Sequence, residues 1–444
     1  MKLPRIHGTV AGETGKSFWK ECSHWPKKVA VLGFGVTGQA VSNFLREREI
    51  DHEIFDEDAS LAPLGIKLDF QPTGEEIVIY GPGFIHSQWL CRAREVGCRC
   101  LSELDLAQFY CANRTVAVTG TNGKTSTVHL LAHVLENLGE KCVLTGNVGA
   151  PVIGQISTLS TNLKLWNICE VSSFQAYSLE YFRPEFVLWT NFSENHLDVH
   201  RDLGEYWEAK WRLLRRCVGF AAVGRGVARW AEKFSLPLPS FAVVPGEAAT
   251  PKCGFLAMAH QRQNYFLVEK FLQFLGFSPE KISGAAENFK TPPHRLWRWG
   301  TVGGVEIWED SKATTAAAAL AALRHVTGNG KPCLWIVCGH SKGEDLKNFH
   351  PAVSLAGEIL CFGEIAPRFQ KFFAGEGKIS TVAHRDQIFE KIDDFIRRQR
   401  KKSASILFSP GFSSFDLFRN YGERGDWFLR GMAELRTRGR STEE

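Results

Sequence analysis

The chain has 444 residues, room for roughly three domains at about 150 residues each. Hydrophobic residues at 44% and charged residues at 23% exclude disordered, collagen-like and tail-rich classes. A net charge of +5 favours anionic ligands weakly and requires no nucleic-acid partner.

Residues 1–27 carry Lys, Glu, His and Gly throughout with no apolar stretch, so they do not read as a secretory signal. The expected location is the cytoplasm, with the cysteines reduced. The first block, 28–112, opens on the strand-like run Lys27-Lys28-Val29-Ala30-Val31-Leu32 and turns on Gly33, Gly35 and Gly38. A helix follows with Ala40, Val41, Phe44 and Leu45 on one face, and the acid Asp56 lies further on. This G-x-G-x-x-G turn suits a nucleotide diphosphate at a helix N-terminus; the competing reading is a ligand-free turn. Cys91, Cys98 and Cys100 form no C-x-x-C pair and do not point to zinc.

The second block, 113–295, begins with the β-branched run Thr115–Val118 and turns through Gly120-Thr121-Asn122-Gly123-Lys124-Thr125-Ser126 into a helix bearing Val128, Leu131, Leu135 and Leu138. This is a phosphate-binding loop in which Val118 replaces the usual first glycine; Lys124 can reach phosphate oxygens and Thr125 can ligate Mg²⁺. The alternative is a glycine turn with a solvated lysine. Cys142–Leu163 is the least charged stretch, but its three glycines, proline and two asparagines rule out a lipid-exposed span. Glu170 ends a strand, where a plain surface acid is the competing reading, and Lys210 reads by itself as a solvated helix lysine. The third block, 296–444, holds an Ala-rich helix from Thr315, buried strands at Cys333–Val337 and Ser405–Phe408, and a basic run from Arg397 that reads as a solvated helix end. Alternating strands and helices predict an α/β chain: a Rossmann-like domain, a central P-loop domain with a parallel sheet, and a second Rossmann-like domain.

With the loop from Thr119 to Thr125 in hand, the chain resembles the Mur ligases, ATP-dependent enzymes that add amino acids to the peptidoglycan precursor. Asp310-Ser311-Lys312-Ala313-Thr314, Gly339-His340-Ser341-Lys342-Gly343 and Ser409-Pro410-Gly411-Phe412-Ser413-Ser414-Phe415-Asp416 resemble the D-glutamate-adding branch. The likeness runs from about residue 28 to the C-terminus; residues 1–27 have no counterpart and are expected to be a flexible extension or to follow from an upstream start codon. The resemblance implies that the first domain holds UDP rather than NAD, with Val36 and Thr37 at the phosphates, Asp56 at the uracil, Gly83 lining the pocket, and Asn147 contacting substrate and phosphate. It implies Mg²⁺ on Thr125 and Glu170, and a second Mg²⁺ near His196 and a carbamylated Lys210. Arg295 and Asp310 are implied for ATP; Lys312, Thr314, Lys342, Ser414, Phe415 and Tyr421 surround D-glutamate.

The implied partners are UDP-N-acetylmuramoyl-L-alanine, D-glutamate and ATP, handled by a monomer without nucleic acid or membrane insertion. Departures from the family pattern are Glu57-Asp58 after the uracil acid, Asn195 where an aspartate is common, and Leu267 where an adenine-contacting asparagine is expected. The family's histidine–asparagine pair becomes Gln263-Asn264, and the stretch from Lys210 to Asn264 is short.

Overall fold

The computed structural model describes residues 28–197, 199–246, 256, 259–328, 330–376, 378–399 and 403–440; the expected extension over 1–27 lies outside them. The described residues form three sheets in two compact units. One unit contains the chain up to Ser193 together with Asp202–Phe289, and the other contains Glu194–Arg201 and the chain from Lys290 onward.

In the first unit, β1 (Val29–Leu32), β2 (His52–Phe55), β3 (Ile77–Tyr80) and β4 (Arg99–Ser102) pair in parallel in the order β2-β1-β3-β4. Helix α1 (Val36–Arg46) leaves β1 through the glycine turn. A Cβ on Gly38 would lie 1.7 Å from the Gly33 carbonyl oxygen, so only glycine lets the helix start this close to the strand. The domain closes with α2 (Glu103–Gln108), capped by a reciprocal Ser102–Asp105 box that satisfies two of the helix's orphan donors.

The central sheet of that unit comprises β5 (Thr115–Thr119), β6 (Cys142–Gly146), β7 (Trp166–Glu170), β8 (Phe186–Trp189), β9 (Phe220–Val223) and β10 (Ala242–Val243), in the order β10-β9-β8-β5-β7-β6. All its pairings are parallel. Its inner strands β5, β7, β8 and β9 are buried along their whole length because both faces of the sheet's centre are covered. Val116 and Val118 pack with Val128, Leu131 and Leu135 of α3 (Lys124–Asn137). Ala117 and Val187 face a second cluster, where Trp207 and Trp211 of α4 (Leu203–Arg215) meet Val31, Phe44 and Leu45 from the first sheet. That shared cluster is why the first two sheets belong to one unit. Asp105 reinforces it: fully buried, it accepts the backbone N–H groups of Glu180, Tyr181 and Phe182 at 3.0, 2.7 and 2.9 Å.

The second unit has β11 (Trp297–Val302), β12 (Val305–Glu309), β13 (Cys333–Cys338), β14 (Glu358–Phe362), β15 (Ile379–Thr381) and β16 (Ser405–Gly411), ordered β11-β12-β16-β13-β14-β15 with only β11 antiparallel. The Ala-rich segment is helix α5 (Ala316–Val326), capped by Thr315 as its position suggests. Phe428 and Met432 of α6 (Tyr421–Arg440) pack on Ile406 and Phe408 of β16.

Candidate functional site

Ligands of open α/β sheets bind outside the carboxyl ends of the strands, and the predicted residues of the central sheet meet there. The register pairs Val118 with Glu170 and Thr119 with Trp189, so the loop after β5 emerges between the ends of β7 and β8. Gly120 has φ +147°, and a Cβ on it would lie 1.9 Å from Thr190 Oγ1. Helix α3 starts from Gly123 with no side-chain cap, leaving its first N–H groups to the loop and to any anion there. Lys124 Nζ folds back on the carbonyls of Gly120 and Thr121 at 2.8 and 2.9 Å. Ser126 is buried in the first turn.

Thr125 Oγ1 donates to Glu170 Oε2 at 2.6 Å, and Asn147 Nδ2 donates to Glu170 Oε1 at 2.8 Å. Asn147 therefore stands at the metal-type carboxylate of the central sheet. A buried carboxylate beside a hydroxyl is an all-oxygen donor set of the kind a hard cation takes, so Thr125 and Glu170 fit Mg²⁺.

Lys210, on α4, is 1% exposed and is not the solvated lysine of the composition-level reading. Its Nζ reaches Gly120 O at 3.0 Å, and it lies 4.8 Å from the Tyr206 ring centre. Burial, reinforced by the charge of Lys124 and opposed by Glu170, holds its pKa well below the ordinary lysine range. As an ammonium it offers no lone pair to a metal. His196 belongs to the short segment grouped with the second unit. It sits at φ +57° with its N–H on Asn195 Oδ1 at 3.0 Å.

In the first sheet, Asp56 accepts the N–H of Phe34 at 2.7 Å and that of Asp58 at 3.0 Å. The acid picked out by the glycine pattern thus braces the turn itself. Val36 is exposed at the start of α1, Thr37 is half-buried, and Gly83 is exposed in the short turn after β3.

The second unit gathers its predicted residues at the ends of β12, β13 and β16. Gly411 N bonds Ala313 O, and His340 and Ser413 exchange backbone hydrogen bonds. These contacts bring the Asp310, Lys342 and Ser414 loops together. Lys312 Nζ stands 4.1 Å from the Tyr421 ring centre, Glu344 holds the Lys342 N–H at 2.7 Å, and Thr314 is half-buried. Ser414 is buried while Phe415 is exposed. Burial, together with the neighbouring Glu309 charge, pushes Asp310 up to about 7 against hydrogen bonds from Ser409 and Leu296 N and the charge of Arg295.

Sequence reading missed several supports. Asn191 clamps Asn122 from both sides, accepting its N–H at 2.9 Å and donating to its carbonyl at 3.0 Å. Thr190 donates to the Asn122 carbonyl as well. Their signal was available: polar residues directly after a buried parallel strand lie at the sheet's binding edge. Fully buried Arg424 donates to Phe412 O and Ser311 O at 3.1 and 2.7 Å, tying two of the second unit's loops together. Asn264 packs under Gly123, and Leu267 is a core residue on the α3 side of the central sheet.

A phosphate-binding loop facing a buried carboxylate at the end of a parallel sheet defines a nucleotide-dependent enzyme of the P-loop type. The Mur ligase middle domain matches residues 118–232. The UDP-N-acetylmuramoylalanine--D-glutamate ligase of Gloeobacter violaceus is 31% identical over 92% of this chain and 99% of its own; that of Thermus thermophilus is 29% identical over 91% and 97%. Among solved structures, Thermotoga maritima UDP-N-acetylmuramate-alanine ligase MurC aligns with TM-score 0.58 at 17% identity over 92% of this chain and 99% of its own. Thermotoga maritima MurF ligase in complex with ADP aligns with TM-score 0.59 at 14% identity over 93% and 96%, and both likenesses concern the fold. The chain belongs to the Mur ligase family, and within it to the UDP-N-acetylmuramoylalanine--D-glutamate ligases. Among the described residues no helix is long and apolar enough to cross a membrane.

Proposed function

We propose that this chain couples ATP cleavage to amide-bond formation between UDP-N-acetylmuramoyl-L-alanine and D-glutamate, working in the cytoplasm as a monomer. The observation that carries the reading is the convergence of Lys124, Thr125, Glu170, Asn147 and Lys210 at one end of the central sheet. The domains are assigned as 28–112 for UDP, 113–295 for ATP and 296–444 for the amino acid.

A carboxylate cannot expel oxide, so the precursor's alanyl carboxylate first attacks the γ-phosphorus of ATP. The bond from that phosphorus to the β–γ bridging oxygen breaks, giving an acyl phosphate and ADP. The amine of D-glutamate then attacks the acyl carbon; phosphate leaves and the amine proton is lost. Phosphoryl transfer needs position and positive charge more than covalent help. Lys124 leaves the loop carbonyls to meet phosphate oxygens, and the loop N–H groups orient the chain of phosphates. Thr125 and Glu170 would hold one Mg²⁺ and a carbamylated Lys210 another, and these ions would supply charge neutralisation of the phosphates; His196 is assigned to the second ion by the family resemblance. Arg295 and Asp310 orient the nucleotide. Val36, Thr37, Asp56, Gly83 and Asn147 serve the UDP precursor, whose diphosphate suits the N-terminus of α1. Lys312 and Lys342, two ammonium groups, suit an amino acid with two carboxylates, with Thr314, Ser414, Phe415 and Tyr421 around it.

The test is ADP release with ATP, Mg²⁺ and the precursor while the amino acid is varied. Release is expected with D-glutamate and little with L-glutamate, L-lysine or diaminopimelate; equal turnover with any of these would overturn the specificity.

A further inference from the structure

Arg295 stands between two non-glycine residues in the left-handed region: His294 at φ +63° and Leu296 at φ +42°. Such backbone costs free energy and persists only where its surroundings over-determine it. Here they do. Lys312 N bonds His294 O at 3.1 Å, and Leu296 N bonds Asp310 Oδ1 at 3.0 Å. The His294 ring meets the fully buried Glu309 with Nδ1 to Oε2 at 3.0 Å and faces Asp426 with Nε2 to Oδ1 at 3.5 Å. Glu309 Oε1 in turn accepts the Ser311 N–H at 2.7 Å. The imidazole lies so close to the start of α6 that a Cβ on Gly425 would be 2.1 Å from Nδ1. Every one of these anchors belongs to the second unit, and none touches a position assigned to substrate except through the backbone of Lys312 and the carboxylate of Asp310.

We propose that His294, clasped to Glu309, is the positioning residue that keeps this strained turn closed and so fixes the backbone that carries Arg295 beside Asp310. The clasp also explains why an acid precedes Asp310: Glu309 bonds both the ring on one side of the turn and the Ser311 N–H on the other, joining the Arg295 turn to the loop that carries Lys312. The inference rests on the assignment of Arg295 to ATP, and the experiment separates the two.

Arg295→Ala, His294→Asn and Glu309→Gln are made in the full chain, and KM for ATP, KM for the UDP precursor, kcat and calorimetric ADP affinity are measured. Asparagine tolerates the left-handed region but cannot reach Glu309 as the imidazole does, so strain is held while the clasp is opened. Arg295→Ala and His294→Asn are each expected to raise KM for ATP and weaken ADP by about tenfold or more, with KM for the precursor within about twofold. Glu309→Gln is expected to move the same constants in the same direction. The double variant His294→Asn/Glu309→Gln is expected to be no worse than the more affected single one, because one clasp is opened in each. Unchanged ADP affinity in Arg295→Ala would overturn the assignment of Arg295. Weakened affinity in Arg295→Ala with wild-type KM for ATP in His294→Asn, or a fall in kcat alone, would overturn the clasp. Should His294→Asn fail to fold, wild-type ADP affinity in Glu309→Gln would overturn it equally.

Discussion

Replacing Lys210 by methionine separates what the side chain does for the fold from what it does for the reaction. The side chain is fully enclosed, and its best hydrogen bond is to Gly120 O at 3.0 Å, an oxygen that Lys124 also reaches at 2.8 Å. Losing Lys210 therefore leaves that carbonyl satisfied, at a cost of about 1 kcal/mol for one hydrogen bond. Against this, methionine removes a buried amine that burial and Lys124 already disfavour in its charged form and fills a similar volume. The net change in stability should lie within about 1 kcal/mol, which for a unit this large is a melting shift of about 2 °C. If Lys210 carries the proposed carbamate, turnover should nevertheless fall by about 10³ or more, because its oxygen donors would be lost, roughly 4 kcal/mol of transition-state stabilisation.

The assay is ADP release under saturating substrates, repeated with acetate or formate. These anions should restore part of the rate in Lys210→Ala, which leaves space, and much less in Lys210→Met or His196→Ala. Turnover of Lys210→Met above about a tenth of wild type, a loss of only ~1.4 kcal/mol, would refute the reasoning. So would a mass or carbon-13 spectrum of the active enzyme showing an unmodified amine.

Gly120→Ala should abolish nucleotide binding measured by calorimetry, since its Cβ would overlap Thr190 Oγ1 and dislodge a hydroxyl bonded to the Asn122 carbonyl. Asp105→Ala should destabilise the first unit by about 3–5 kcal/mol in chemical denaturation, as three backbone N–H groups lose their acceptor, and a value under about 1 kcal/mol would discount the brace. Glu103 is fully enclosed and pushed up to about 7 by burial, against the hydrogen bond it accepts from Ile153 N. Because its folded pKa is raised from an ordinary 4.5, its contribution is greatest below that value and is lost as pH rises through about 7. Between pH 6 and 8 stability should fall by about 1 kcal/mol more in wild type than in Glu103→Gln, and equal slopes in paired melts would refute the assignment.

Much of the site was legible because its chemistry is local. Lys124, Thr125 and the glycines are contiguous, and a strand before and a helix after them suffice to read a phosphate loop. Asp56 was legible through its spacing from the glycine turn, and Glu170 only through the family resemblance, since the end of a strand equally suits a surface acid. What stayed hidden depends on pairing between distant segments. Asn191 looks like any loop amide until β8 is placed beside β5, and Arg424 looks like a surface arginine of a polar helix until its two carbonyl acceptors come together. Lys210 is the sharpest case: helical spacing and a charged side chain suggest solvent, and only the packing of α4 against the end of β5 turns the same residue into an enclosed amine.

The family resemblance and the physical reading therefore contribute different things. Resemblance assigns roles to residues one position at a time, but it says nothing of the buried groups that hold those residues in place, because these make no contact with substrate. Two sets of such supporting groups bear on the residues assigned to the nucleotide. One grips the phosphate loop from the neighbouring strand end through Thr190 and Asn191; the other closes the Arg295 turn through His294 and Glu309. Substitutions in either set act through geometry, so they should alter nucleotide affinity in proportion to how far the gripped residue moves. The charge of the substituted group should matter less. Glu309→Gln, which keeps the length but leaves one oxygen to accept where two do now, should weaken ADP binding, and the charge-conserving Glu309→Asp, too short to reach both the imidazole and the Ser311 N–H, should weaken it more; the reverse order in calorimetry would return the turn to a purely electrostatic explanation.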